Sequence, residues 1–149
     1  MTRAPCTCGP HGICDTACPK RAVPKKRGAP EAAIQRAIRK RLMFHGIVFV
    51  HVKNEGARSM FGHVAAKADG MLPGFVDGIA LQSPGRVAFL EVKPEGWTPP
   101  SDNAKGQKAQ HWRRQRDIHE MLRRMGFHCE VVTSQDEAVE ALRAAGFRL

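Results

Sequence analysis

The sequence predicts an α/β fold: a small mixed sheet of about four strands flanked by helices, preceded by a cysteine-rich tail. Three observations carry this. Ile34, Ile38 and Leu42 recur at helical spacing and draw one apolar stripe along residues 31–44. Ile47-Val48-Phe49-Val50-His51-Val52 is a β-branched run of strand length. Two further strand-like runs, Val76 to Leu81 and Arg86 to Lys93, flank a turn at Ser83-Pro84-Gly85.

In chain order, Pro30 suits the first position of a helix, whose missing N–H donor would be unpaired there in any residue, and Gly46 ends that helix. The run from Ile47 to Val52 reads as a buried strand. Lys53 to Gly70 is polar and dotted with glycine, a loop with room for a short helix. The paired strands follow, then a Pro-rich loop over residues 94–104. Residues 105–125 form a long basic helix closed by Gly126, with Trp112 as a packing anchor. Phe127 to Thr133 is a strand in which Cys129 reads as core, and Ser134 caps a last helix ending near Ala145. The order is α-β-β-β-α-β-α, with no internal repeat.

The 149 residues suit one domain plus a tail. Residues 1–29 form the tail and 30–149 the domain. No apolar run approaches the roughly 18 residues of a membrane span, and no secretory core opens the chain, so the expected location is the cytoplasm. Lys and Arg number 24 against 14 Asp and Glu, a net charge of +10. The excess lies in residues 1–30 and 105–125, each +5, while 126–149 carry −2. A surplus of this size favours a polyanion, with nucleic acid the default, unless it only keeps the surface solvated.

A three-residue turn centred on Pro84 pairs Leu81 with Val87, Ile79 with Phe89, and Asp77 with Glu91, all on one face of the hairpin. Lys93 shares that face two residues on. Directly opposed β-carbons lie roughly 4.5–5.5 Å apart, so the two carboxylates repel each other. A divalent cation between them removes that repulsion, and hard oxygen ligands suit Mg²⁺ or Mn²⁺. Read alone, Glu91-Val92-Lys93 is an ordinary exposed edge pair; Asp77 at the start of the partner strand gives it chemical meaning.

Asp77 followed by Glu91-Val92-Lys93 resembles the PD-(D/E)XK nuclease signature, and the likeness extends to the virus-type replication–repair nuclease (VRR-NUC) family within it. Members show Glu and Gln four apart on an opening helix, here Glu31 and Gln35. An Asn-containing patch follows the first strand, here Asn54 to Ser59. Lys67 and Gly70 precede Gly74-Phe75-Val76-Asp77, where Val76 stands in place of the usual Pro. A helix Gln precedes a Gly and an apolar strand; Gln107, Gln110 and Gln115 all compete, and the distance from Gln115 to Gly126 resembles the family spacing. The likeness covers residues 30 to about 143 and implies a PD-(D/E)XK-like core.

The resemblance implies a metal held by Asp77 and Glu91, the Val92 carbonyl and, directly or through water, Glu31. Gln35 shares the helix face of Glu31. It implies that Lys93 orients the attacking water and offsets charge on the transition state, and that Gln115 walls the site. Lys53, Asn54, Arg58 and Lys67 are candidate nucleic-acid contacts, or plain surface. The implied activity is hydrolysis of DNA phosphodiester bonds by a Mg²⁺- or Mn²⁺-dependent endonuclease in a bacterial or phage replication–repair setting. Stand-alone members resemble Holliday-junction resolvases, which implies branched DNA as substrate and a homodimer. Two rival readings are a non-catalytic nucleic-acid-binding module with a zinc tail, and an RNA-cutting enzyme. The histidines outside the tail read as surface or core. Trp97 packs on the domain or stacks on a base.

Cys6, Cys8, Cys14 and Cys18, with His11 among them, follow a C-x-C-x5-C-x3-C spacing outside the resemblance. Four thiolates can hold one tetrahedral Zn²⁺, and in a reducing compartment that competes well with a disulfide; thiols that bind nothing are the alternative. Purified without chelator, the protein is expected to carry one bound zinc per chain by metal analysis. Metal-free protein would remove the site.

Overall fold

A computed structural model of the chain describes residues 28–52 and 70–149. Its elements are α1 (Glu31–Met43), β1 (Val48–His51), β2 (Gly78–Gln82), β3 (Arg86–Val92), α2 (Gln107–Arg124), β4 (His128–Val132) and α3 (Gln135–Ala144). The strands form one sheet in the order β1-β2-β3-β4, antiparallel at the first two junctions and parallel at the third. The fold is therefore a mixed α/β sheet with three helices among the described residues. No described helix is long and apolar enough to cross a membrane. Cys6, Cys8, Cys14 and Cys18, and Lys53, Asn54, Arg58 and Lys67, lie outside the described residues.

Alternation along the strands sorts the core into two clusters. Ala80, Ala88, Leu90 and Val92 pack against Ile34, Ile38 and Leu42 of α1 and Ala138 and Leu142 of α3. On the other face Phe89 joins Val76, Cys129, and Ile118 and Leu122 of α2. Val76, just before Asp77, is fully buried in this second cluster. Helix α1 starts at Glu31, as expected, with Pro30 in the cap position rather than the first turn. The Ser134 cap forms as expected: its Oγ accepts from Glu137 N at 3.1 Å, while Glu137 Oε2 accepts from Thr133 N at 2.6 Å.

The first strand differs from expectation. Val48 and Val50 are 59% and 42% exposed rather than buried. Among the described residues β1 is an edge strand bonded only to β2, and only Phe49 of its four residues packs against the first cluster. β-branched side chains favour an extended backbone whether or not a face is covered, so composition identified the strand but not its burial.

Phe49 explains Gly78. The ring lies across the glycine, and a Cβ built there would meet Phe49 Cζ at 2.2 Å. Gly78→Ala is expected to lower the unfolding free energy by about 1–3 kcal/mol through overpacking. Phe49→Leu in the same chain should recover part of the loss, a coupling that urea unfolding of the two single variants and the double variant would detect.

Candidate active site

The hairpin delivers the acids. Gln82 pairs with Arg86 across the Ser83–Gly85 turn, and the ladder continues through Leu81 with Val87, Ile79 with Phe89 and Gly78 with Leu90. Asp77 lies one residue before β2 and is tied at both ends. Its carbonyl accepts from Val52 N at 2.8 Å, and its Oδ2 accepts from Val92 N at 2.9 Å. Gly74 sets the approach to it: its φ is +87°, and a Cβ there would press on Arg114 Cβ and Gln115 N at 3.4 Å. The loop before Asp77 thus lies directly against α2, in a backbone conformation that glycine adopts without steric penalty.

Glu91 is fully buried. Lys93 Nζ and Gln115 Nε2 both donate to its Oε1, and Lys93 Nζ also donates to Gln115 Oε1 at 3.1 Å. Its Oε2 has no hydrogen-bond partner and stands 3.7 Å from His119 Nε2, which is likewise buried and without a hydrogen bond. Trp112 lies edge to face with His119, ring centroids 6.0 Å apart. The Lys93 backbone is fixed by its N–H, which donates to Val132 O at 2.8 Å.

The two carboxyls are driven in opposite directions. Burial first, then the charges of Glu91 and Glu31, push the Asp77 carboxyl up to about 7, against the opposing pull of the Val92 N–H and Lys93. Burial also opposes ionisation of Glu91, but His119 and the Lys93 ammonium outweigh it and hold that carboxyl below the usual glutamate range. Glu91 is thus kept ionised, while burial and the charges of Glu91 and Glu31 hold Asp77 partly protonated. Among the described residues no three His, Cys, Asp or Glu side chains gather into a metal-ligand group. The donors that fit a hard cation are the two acids, with the partnerless Glu91 Oε2 and the depressed acidity of Asp77 marking unmet demand for positive charge.

Glu31 reaches this site through the chain just ahead of it. Ala29 N donates to Glu95 Oε2 at 2.9 Å, and Glu95 N donates to Ala29 O at 3.2 Å. That bridge brings the start of α1 to the end of β3, close enough for Glu31 to act on Asp77, though more weakly than Glu91 does. Gln35, one turn along and half-buried, makes none of the contacts described around Glu91. Of the three competing glutamines, Gln115 is the one the structure puts against Glu91 and Lys93.

From sequence, His119 reads only as surface or core and Trp97 as packing on the domain or stacking on a base; the structure buries the first and packs the second on α2. His119 follows Gln115 by four positions, and that spacing on one helix face was the signal available for it. Trp97 packs edge-on against Trp112, centroids 4.8 Å apart, and Lys93 Nζ stands 5.8 Å from a Trp97 ring centroid. Nothing local in the Pro-rich loop announces that contact.

The acidity of Asp77 has a thermodynamic consequence. Without metal, the native state keeps a proton that the unfolded chain releases near its ordinary value of 3.8, and loses it only near 7. The contribution of Asp77 to stability therefore falls as pH rises between those values. Glu91 acts in another window: its contribution is present above the ordinary glutamate value and is lost as pH falls through its lowered one. Urea unfolding of metal-free wild type and Asp77→Asn from pH 5 to 8 should show the wild type losing stability relative to the variant as pH rises. A constant difference would contradict the assignment.

No family model matches the chain, and no curated protein matches it. A solved structure described as a VRR_NUC domain is similar to it at 19% identity and a TM-score of 0.48, over 77% of this chain and 96% of that one.

Proposed function

We propose that the chain is a metal-dependent DNA endonuclease of the PD-(D/E)XK type and VRR-NUC kind, with residues 30–149 as the nuclease domain and 1–29 as a separate basic tail. The observation that supports it most is a half-buried Asp77 acting on a fully buried Glu91, with the Lys93 amine donating to Glu91. Crowding a second carboxyl against a buried glutamate is unfavourable in a merely structural hairpin. It is the donor set that a hard divalent cation satisfies.

In this reading Asp77, Glu91 and the Val92 carbonyl, with Glu31 behind them, hold Mg²⁺ or Mn²⁺. When bound, such an ion lowers the pKa of water and screens the scissile phosphate. The chain's own groups supply the rest. Glu91, held ionised, binds; Lys93 aims an N–H at the attacking water and at charge developing on phosphorus. Gln115 keeps Lys93 and Glu91 in register, and His119 closes the buried side of Glu91. Lys53, Asn54, Arg58 and Lys67 contact the phosphate backbone. The substrate is branched DNA of the junction type in replication or repair, the enzyme works as a homodimer that cuts symmetric strands, and its setting is the cytoplasm of a bacterium or phage-infected cell. A zinc-bound tail would add phosphate contacts.

Junction, nicked and linear DNA and an RNA strand, each incubated with Mg²⁺ or Mn²⁺, form the deciding panel. Wild type should cut junction DNA with the metal and not without it. Asp77→Ala and Lys93→Ala should each lose at least about 100-fold in rate, and the wild-type complex with DNA should have the mass of a dimer. Equal cleavage by all three proteins would mean contamination. Metal-independent binding with no cleavage would leave the non-catalytic binding module.

A further inference from the structure

A cleft of about 820 Å³ opens between the end of β3, the Pro-rich loop and the first turns of α2. Lys93, Trp97, Lys108, Trp112, Arg114 and Gln115 are among its lining residues. It lies within the roughly 300–1,000 Å³ typical of small-ligand sites, and it adjoins the acid pair through Lys93 and Gln115. Hydrolysis as described above uses only that one end of it.

The remainder has a particular chemistry. Both tryptophans of the chain line the cleft. Their contact is edge to face, at an interplanar angle of 67°, so each indole keeps at least one face that the other does not cover. Among the described residues no acidic one lines the cleft. The loop wall is held in place by other arginines: Arg113 Nη2 donates to Asp102 O at 2.7 Å and Ala104 O at 2.5 Å, and Arg116 pairs with Asp102 at 2.7 Å. Lys108 and Arg114, in contrast, line the opening and pair with no carboxylate among the described residues.

We propose that this cleft receives an unpaired nucleotide of a DNA strand, with its base stacked on Trp97 and its phosphates met by Lys108 and Arg114. The inference deepens the nuclease reading and takes the polymer from it. Flat aromatic surface beside positive charge is how proteins hold single strands, because every base has a π-face and every linkage a negative charge. A base inside a duplex has both faces covered by its neighbours and cannot stack on an indole without leaving the helix. The cleft would therefore direct the acid pair to the bond beside an unpaired nucleotide, as at a branch point, a flap or an end.

The two tryptophans make the test direct, since intrinsic fluorescence reports on this cleft. Metal-free wild type would be titrated with a short oligothymidylate and with an abasic strand of equal length and charge. The base-bearing strand should quench the fluorescence and bind about tenfold more tightly or better. Trp97→Ala should abolish that preference, Trp97→Phe should retain most of it, and Lys108→Ala should weaken both strands alike. Equal affinity of wild type for the two strands overturns the proposal, as does a preference that survives in Trp97→Ala. No metal and no cleavage enter this measurement. A chain that binds bases but cuts nothing refutes the nuclease reading alone, and one that cuts without base preference refutes the cleft alone.

Discussion

The pairing register of β2 with β3 is the constraint on which the rest depends. Side chains alternate across a sheet, so a slip of one residue exchanges the two faces of a strand. With Ile79 opposite Phe89, Leu90 and Val92 enter the dry cluster under α1 and α3, and Glu91 points towards α2. Shifted by one, β3 would drive a carboxylate among Ile38, Leu42 and Leu142 and bring two apolar side chains to Gln115 and His119. Burial of an unpaired charge is among the largest penalties a fold can meet. The apolar core on one face thereby enforces the polar site on the other.

The site in turn makes demands on the fold. An ionised glutamate without solvent contact survives only if partners replace the water it has lost. Lys93 comes from the same strand, Gln115 and His119 from successive turns of α2. Three anchors keep those turns in place: the Ile118 and Leu122 packing, the close passage of Gly74 past Arg114 and Gln115, and the Trp97–Trp112 contact. The Glu95–Ala29 bridge performs the corresponding task for α1. Elements far apart in sequence are thus fastened at the edge of the acid pair, where small displacements would matter most to any chemistry performed there.

Legibility followed the range of the interaction. The hairpin register could be read directly, because a three-residue turn and two-residue alternation are local rules, and Asp77, Glu91 and Lys93 came with it. The helix boundaries came from caps and glycines, also local. The edge character of β1 could not be read, since Val48 and Val50 look the same in sequence whether or not another layer covers them. His119 was visible as a residue but not as a neighbour of Glu91; that needed the rotation of α2 about its axis, which Gln115 specifies only once it is chosen over Gln107 and Gln110. The docking of the Pro-rich loop on α2 was least accessible, resting on two tryptophans 15 positions apart with no periodic relation to each other.

Hydrogen bonding around Glu91 is uneven. A glutamate carboxylate has two oxygens, and here both hydrogen-bond donors converge on Oε1, leaving Oε2 buried and unsatisfied. An ammonium has three donors, and Lys93 commits two, to Glu91 and Gln115. Among the described residues Oε2 takes part in no hydrogen bond, with His119 Nε2 facing it at 3.7 Å, and Lys93 makes two of its three. A purely structural ion pair buried in a core tends to have its remaining valences met. In the nuclease reading, that unevenness beside a basic, aromatic cleft is what a cation and a phosphate would complete.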